Sequence, residues 1–174
     1  MSVDERGVPI PRSQVRSARQ ATAEELAAAQ RAALHNMELM QTLDDAWNAQ
    51  DMDTFSSRHK DDVIVRWPGK EPTHGANNHR QEALDFFATF PDQKVKNRPY
   101  KTLFASGDWT CSIARFTGTM KGPMKGPDGK TILPTNKSFD VDFCTVARWD
   151  NGQIVEENLF YDLVTFMKQI GLGT

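Results

Sequence analysis

Apolar residues in the first half of the chain recur mainly with a helical period. Thr22-Ala-Glu-Glu25 is a capping box, in which the side chains of Thr22 and Glu25 each accept a hydrogen bond from the other residue's backbone N–H. From Leu26 onward, apolar residues return every three or four positions, which predicts one amphipathic helix to about Ala49. A short second helix is expected over 51–59 and a third over 79–90.

Shorter apolar segments between turn residues predict strands. We expect strands over 63–67, 95–106 and 109–119, with the last two joined at Gly107-Asp108. Residues 120–136 contain three glycines and three prolines, so they predict a long loop between strands. Loops of this length are often lids or binding elements.

The last quarter of the chain predicts a hairpin followed by a helix. Strands are expected over 137–149 and 153–162, and Asn151-Gly152 between them is typical of a two-residue type I′ turn. A short helix over 163–170 is predicted to end at Gly171.

This turn predicts the register of the hairpin and therefore its two faces. Asp150 lies opposite Gln153, and unbroken alternation from there sets every later pair. One face is then an apolar wall with a few polar groups, which is typical of a small-molecule pocket. Its pairs are Trp149/Ile154, Ala147/Glu156, Thr145/Asn158, Phe143/Phe160 and Val141/Asp162.

The opposite face of the hairpin is also too apolar to face water. Arg148 and Glu157 are expected at its rim, and an apolar sheet face with a charged rim predicts a homodimer interface. Its apolar members are Val146, Cys144, Leu159 and Tyr161.

The order of the predicted elements indicates the fold class. Helices come first and consecutive strands follow, which favours an α+β domain whose bent, cone-shaped antiparallel sheet wraps around the long N-terminal helix. Residues 1–20 contain little apolar surface and are predicted to be a tail, whereas residues 21–174 form a single domain.

Composition excludes several classes of partner. The 174 residues include 21 Lys and Arg against 23 Asp and Glu, so no basic excess points to nucleic acid or to a membrane surface. No apolar run approaches the length of a membrane span. Cys111 and Cys144 are expected to be reduced thiols within strands, which together with the charged N-terminus predicts a cytoplasmic protein.

A series of short motifs in a fixed order resembles the SnoaL-like polyketide cyclases (ester cyclases) of the nuclear transport factor 2-like superfamily, which have a cystatin-like cone-shaped fold. The resemblance spans roughly residues 35–172 and implies a cofactor-free enzyme in which Asp162 is the general acid/base of an intramolecular aldol ring closure. It also implies dimerisation through the sheet. The motifs are Trp47–Asp51, Asp62-Val63, Phe90–Asp92, Gly118–Gly122, Trp149–Glu157, Phe160–Asp162 and Gln169–Leu172.

Two roles for Asp162 stand side by side. A carboxylate walled by Val141, Phe143 and Phe160 would have its pKa raised by desolvation, as proton transfer near neutral pH requires. However, Asp162 immediately precedes the last helix and is equally suited to cap it, which would lower its pKa.

The remaining candidate residues would bind or orient a substrate. Asn158 and Thr145 would hold a carbonyl or enolate oxygen, or else hydrogen-bond each other across the strands. Arg66 stands where many relatives have a histidine, and it would hold an anionic substrate if it faces inward. Trp47, Trp67, Phe143 and Phe160 are expected to wall the cavity.

The histidines and Asp44 add weaker candidates. His74 and His79 are candidates for proton transfer, although a surface position is the ordinary expectation for each. Asp44 lies at the edge of the apolar stripe of the first helix and could point toward the same cavity, although a surface position is favoured. No histidine pair has the spacing of a zinc motif, so no metal site is predicted.

Two functions are therefore predicted. The first is a cofactor-independent cyclase or isomerase acting on a small, largely apolar carbonyl compound, with lyase or hydrolase chemistry also found in the superfamily. The second is a non-catalytic small-ligand-binding or scaffold domain of the same fold.

Overall fold

The computed structural model describes residues 21–126 and 128–173, and the predicted tail over 1–20 lies outside them. The capping box at Thr22 is present, and the long helix is capped at its C-terminus by Gln50, whose backbone is left-handed with φ 56°. The described helices are α1 (Ala23–Ala49), α2 (Met52–Ser57), α3 (Ala76–Thr89) and α4 (Leu163–Gln169). None of these helices is long and apolar enough to cross a membrane.

The described strands form a curved sheet and one small hairpin. The sheet order is β2-β1-β9-β8-β5-β3, with β4 also paired to β5, and all its pairs are antiparallel except β1 with β9. The α+β prediction is therefore confirmed. The strands are β1 (His59–Arg66), β2 (Thr73–His74), β3 (Lys94–Lys96), β4 (Thr102–Ser106), β5 (Trp109–Thr119), β6 (Met124–Lys125), β7 (Thr131–Ile132), β8 (Ser138–Asp150) and β9 (Gln153–Phe160).

Several predicted boundaries were wrong. The strand expected over 95–106 is two strands, β3 and β4, and Pro99 between them has no N–H to donate to a ladder. The predicted loop over 120–136 contains the small β6–β7 hairpin. The second helix ends at Ser57, so His59 begins β1, and α3 begins at Ala76, before His79.

The C-terminal hairpin has the predicted turn but a different register. Asn151 and Gly152 have φ of 50° and 80°, as a type I′ turn requires. Trp149 pairs with Ile154, whereas the preceding residue, Arg148, pairs with Glu156, which leaves Val155 as the extra residue of a β-bulge.

The bulge reverses the faces of the rest of β9, because one extra residue moves every later side chain to the other side of the sheet. Glu157 and Leu159 are buried on the inner face, opposite Ala147 and Thr145. Asn158 turns outward with Val146, and Phe160 is 55% exposed. The predicted hairpin faces are therefore wrong beyond Ile154.

The apolar stripe of α1 packs into the concave side of the sheet from Ala33 onward, whereas Leu26 near the start of the helix is 60% exposed. Met40, Leu43 and Trp47 are buried there, and the Trp47 ring lies 4.6 Å from Phe87 and 6.5 Å from Phe116 between ring centroids. Because α3 packs beside α1, the inner face of the sheet and the two helices enclose the centre of the domain.

Asp162 is the N-cap of α4. Its carboxylate accepts a hydrogen bond from the Thr165 backbone N–H at 2.9 Å and from the Thr165 hydroxyl at 2.6 Å. These bonds lower the pKa of the exposed Asp162 carboxyl group. The cap holds the start of the helix whose Phe166 packs against Phe90 and Phe139.

We predict that Asp162→Ala lowers the free energy of unfolding, because it leaves a helix N–H without its side-chain partner. Asp162→Asn should lower it by less, since asparagine also caps helices well. Urea denaturation of the two variants and the wild type measures both values. Equal losses in the two variants would contradict a capping role.

Candidate active site

A cavity of about 40 Å³ lies between the inner sheet face, α1 and α3. Most of its wall is aromatic or aliphatic, and its polar groups come from four separate elements. The lining residues are Leu43, Asp44, Trp47, Phe55, Trp67, His79, Phe86, Val95, Phe116, Phe143, Thr145, Glu157 and Leu159.

Asp44 is a carboxylic acid in an apolar wall. It follows Leu43 on the buried stripe of α1 and lies one turn before Trp47, so the helix directs it toward the sheet. The Tyr100 hydroxyl donates a hydrogen bond to Asp44 Oδ2 at 2.7 Å. Burial raises the pKa of Asp44 to about 7, against the lowering effect of that hydrogen bond.

Tyr100 reaches Asp44 from the segment between β3 and β4. Its hydroxyl also lies 3.3 Å from the backbone carbonyl oxygen of Met40 on α1. Burial and the neighbouring Asp44 raise the pKa of Tyr100, so the phenol stays protonated and remains a donor.

Trp47 lines the same cavity and carries a buried donor. Its side chain is buried and packs against Phe55, Phe86 and Phe87. Within the described residues, the indole Nε1–H has no hydrogen-bond partner. A buried donor without a partner is costly, so this atom marks a place where a ligand oxygen would be stabilised.

His79, from the first turn of α3, lies between two carboxylates. Its Nδ1 is 3.3 Å from Glu82 Oε2, one turn along the helix, and its Nε2 is 3.3 Å from Glu157 Oε2 on β9. Burial opposes protonation of His79, but the hydrogen bonds to Glu157 and Glu82 outweigh it and raise its pKa to about 9.

Glu157 is a buried carboxylate held by two histidines. Besides His79, His59 Nε2 lies 3.5 Å from Glu157 Oε2. Burial would raise the pKa of Glu157, but the two imidazoles outweigh it and lower the pKa to about 2. The cavity therefore has two carboxyl groups in opposite states, because Asp44 faces apolar groups and Glu157 faces imidazoles.

Glu82 connects His79 to Trp67, at the side of the cavity that faces an outer groove. Its carboxylate accepts hydrogen bonds from the Trp67 indole N–H at 3.1 Å and from the Thr73 hydroxyl at 2.5 Å, and it pairs with Lys70. Trp67 lines both the cavity and an outer groove that continues to Tyr161 and Phe166.

The structure brings five of the predicted site residues to the cavity. Thr145 is buried on β8, and Phe143 lies two positions before it. Trp47, Trp67 and His79 complete the set. The expected surface position of His79 was wrong, because the helix begins earlier than predicted and turns this residue inward.

Four predicted residues lie elsewhere. Arg66 is exposed and pairs with Glu156 at 2.7 Å, while Asn158 bonds to the same two side chains on the outer face. Phe160 is exposed because the bulge at Val155 turns it to the outer face of the sheet. His74 is exposed on β2 and is not part of the cavity lining.

Asp162 also lies outside the cavity lining. The expectation that apolar walls desolvate its carboxyl group was wrong, because the strand ends at Phe160 and Asp162 turns to the helix that it caps. The capping hypothesis agrees with this position.

Sequence reasoning missed Tyr100, His59, Glu82 and the inward position of Glu157, and for Asp44 it favoured the surface over the cavity. A signal existed for Asp44, which directly follows Leu43 on the apolar stripe of α1. Tyr100 meets Asp44 across 56 positions, and the inward position of Glu157 depends on the bulge at Val155. Glu82 lies only one helical turn from His79, and both belong to α3, which begins at Ala76.

Comparison with known proteins agrees with the fold. The chain is similar to a protein from Jannaschia sp. CCS1 assigned as a SnoaL-like polyketide cyclase, with 24% identity over 82% of this chain and 95% of that chain and a TM-score of 0.71. IdmH from Streptomyces antibioticus, assigned as a polyketide cyclase, is 21% identical over 78% of this chain and 98% of that chain, with a TM-score of 0.64.

A solved structure with a different assigned activity has a similar fold. An LEH-like epoxide hydrolase from M. tuberculosis is 14% identical over 79% of this chain and 90% of that chain, with a TM-score of 0.61. No curated protein sequence matches the chain. The model of the SnoaL-like polyketide cyclase family matches residues 37–170, and the chain therefore belongs to that family, with its nuclear transport factor 2-like fold.

Proposed function

We propose that the protein is an acid–base enzyme acting on a small, largely apolar carbonyl compound, in a cyclisation or isomerisation that passes through an enolate. Asp44 is the proton-transfer group, and this step needs no cofactor. The observation that carries the proposal is the Asp44 carboxyl group, which lines an apolar cavity with a pKa of about 7 and accepts a hydrogen bond from Tyr100.

A base that removes a proton from carbon works best when its pKa lies near the working pH. Asp44 meets that condition, and the Tyr100 hydroxyl orients its carboxylate. The other carboxylate of the cavity, Glu157, is unsuited to the role because its pKa is about 2. The pair resembles other sites in which two carboxyl groups take different roles because their environments differ.

The enolate oxygen requires a donor, and Trp47 supplies one. Its indole N–H is buried, has no partner among the described residues and belongs to a side chain that lines the cavity. Donors preorganised toward a developing oxyanion typically contribute a factor of about 10² to 10³ to the rate. Thr145, buried on the same wall, is a second candidate for holding a substrate oxygen.

The size of the cavity indicates how a substrate enters. About 40 Å³ is well below the roughly 300 Å³ at which small-molecule pockets begin, so side chains must move on binding. Trp67 and Phe86 line both the cavity and the outer groove, which makes them the movable wall. The bond from Trp67 to Glu82 holds that wall closed.

A non-catalytic ligand-binding domain is the second candidate. The observation that favours it is the position of Asp162, because the residue to which the family resemblance assigns catalysis is an exposed helix cap. The assay below distinguishes the two candidates.

We predict that the wild-type protein accelerates exchange of the α-hydrogens of small benzo-fused cyclic ketones for deuterium, and that Asp44→Asn slows this by 10²-fold or more. Loss of the only ionisable group of the base removes proton abstraction while the amide can still accept the Tyr100 hydrogen bond. Proton NMR in D₂O buffer, beginning with 2-tetralone, measures the rate above the buffer background.

Asp162→Asn is the matched control for that experiment and should exchange at the wild-type rate. Trp47→Phe should reduce exchange while keeping the shape of the wall. Equal rates in Asp44→Asn and wild type would remove Asp44 from the mechanism. Loss of exchange in Asp162→Asn would return catalysis to Asp162, and no acceleration by the wild type would favour the binding domain.

The raised pKa of Asp44 also predicts how stability depends on pH. Its ordinary pKa is 3.8 and its folded value is about 7, so between those pH values only the folded state holds the proton. This contribution to stability is complete below about pH 4 and is lost as the pH rises through 7. Tyr100 favours the ionised form, and the charges of Glu157 and Asp45 oppose it.

We therefore expect the free energy of unfolding of the wild type, relative to Asp44→Asn, to fall by at most on the order of 4 kcal/mol between pH 4 and pH 8. Urea denaturation of both proteins across this pH range gives the difference between their free energies of unfolding. Contributions from the other titrating groups are common to both proteins and cancel in this difference. A difference that does not change with pH would mean that Asp44 has an ordinary pKa.

Homodimerisation through the outer sheet face remains a prediction, with a corrected set of residues. Phe104 and Phe160 are 56% and 55% exposed on this face. They flank Cys111, Cys144 and Val146 in the paired strands β4, β5, β8 and β9. An exposed apolar stripe of this kind is typical of an interface between subunits. Its borders carry the ion pairs Lys101–Asp142, Arg115–Asp140 and Arg66–Glu156.

We predict a dimer in sedimentation velocity that dissociates in the variant Phe160→Asp, because a charge at this position would be buried without a partner. The matched control is Leu133→Asp, which adds the same charge at a residue 75% exposed in the loop between β7 and β8. A monomeric wild type, or equal dissociation in both variants, would contradict this interface.

A further inference from the structure

We propose that His59, His79 and Glu157 bind one divalent transition-metal ion of the class that prefers imidazole nitrogen and carboxylate oxygen, such as Zn²⁺, Fe²⁺ or Co²⁺. One donor atom from each of these buried residues lies within 4.8 Å of the other two. The residues come from the start of β1, the first turn of α3 and the middle of β9, so three separate elements converge on one point.

The distances suit coordination after a small closure of the site. His59 Nε2 and His79 Nε2 lie 3.5 and 3.3 Å from the same oxygen, Glu157 Oε2. Ligands placed about 2.0 to 2.2 Å from one ion are roughly 3 to 3.5 Å apart in octahedral or tetrahedral geometry. Two histidines and one carboxylate form a recognised donor set for Fe²⁺ and Zn²⁺.

The outer nitrogen of each histidine is already held by an acceptor. His59 Nδ1 lies 2.8 Å from the backbone carbonyl oxygen of Phe55, and His79 Nδ1 lies 3.3 Å from Glu82 Oε2. A carbonyl or a carboxylate can only accept, so each bond places a proton on Nδ1. Histidines that bind metals are typically oriented in this way, which directs the lone pair of Nε2 toward the ion.

The inner nitrogen of His59, Nε2, then has no hydrogen-bond donor facing it. The His59 side chain is 1% exposed, and among the described residues its Nε2 has no hydrogen-bond partner. With the proton on Nδ1, the Nε2 lone pair points toward the carboxylate of Glu157, which is also an acceptor. Acceptors that face one another in a buried site require a positive charge between them. A divalent ion supplies this positive charge to all three ligand atoms at once.

The bound ion would adjoin the cavity. His79 and Glu157 line the cavity together with Asp44 and Thr145, so coordination positions not taken by the protein would face the substrate space. The proposed proton transfer by Asp44 does not depend on the ion. The two proposals therefore fail separately, since Asp44→Asn should keep metal binding while losing exchange.

The test is direct titration of the full chain, dialysed against a chelator, with Zn²⁺ alone by calorimetry and with Co²⁺ alone by visible absorption. We expect one ion per chain, with affinity at least 100-fold lower in Glu157→Gln and in His59→Gln. Glu82→Gln, which removes the carboxylate behind His79, should weaken binding by about 10- to 100-fold.

Matched controls exclude binding by exposed histidines. His35 has a side chain that is 63% exposed, and His74 is also exposed, so His35→Gln and His74→Gln should leave the affinity unchanged. Circular dichroism of each variant shows whether it is folded.

If the variants of the metal ligands do not fold, NMR of the wild-type protein tests metal binding instead. Addition of Zn²⁺ should shift the ¹⁵N resonances of Nε2 in two histidines, while His35 and His74 stay unchanged. Absence of saturable binding at one equivalent, no such shift, or unchanged affinity in folded Glu157→Gln would overturn the proposal. The positive charge at the site would then be supplied by protons on the imidazoles.

Discussion

The candidate site depends on how the protein accommodates the buried carboxylate of Glu157. An isolated buried charge would be expensive, and Glu157 is 5% exposed, so it requires a compensating positive charge at the point where two imidazole nitrogens converge on the same oxygen. This requirement links β1 and α3 to β9, because each contributes one of those histidines. It also explains why Glu82 and the Phe55 carbonyl hold the far nitrogens of the rings.

The same cavity contains a second carboxyl group in an opposite environment. Asp44 faces hydrocarbon and a single phenol, so burial dominates and its pKa is about 7, whereas the imidazoles keep that of Glu157 near 2. Two ordinary carboxyl groups with different pKa values thus line the same small cavity. Acid–base chemistry on an apolar substrate requires such a division between a proton carrier and a fixed charge.

Much of the architecture could be predicted from local patterns. The capping box at Thr22, the apolar stripe of α1 and the Asn151-Gly152 turn depend on neighbouring residues, so they appear in the structure as expected. The site was predicted less well. Asn158 and Phe160 were placed inside because the register was extended from the turn without a break, and the bulge at Val155 reverses them.

The sequence by itself determined the helices, the turn of the C-terminal hairpin and the aromatic character of the cavity, because these follow from the spacing of apolar residues and from short-range turn and cap chemistry. The family followed separately, from the resemblance of its ordered short motifs. Only the tertiary structure decided which ionisable groups meet. Asp44 and Tyr100 are 56 residues apart, and His59, His79 and Glu157 come from three elements. Burial and charge pairing, which set their pKa values, arise when those elements pack together and have no counterpart in the local pattern.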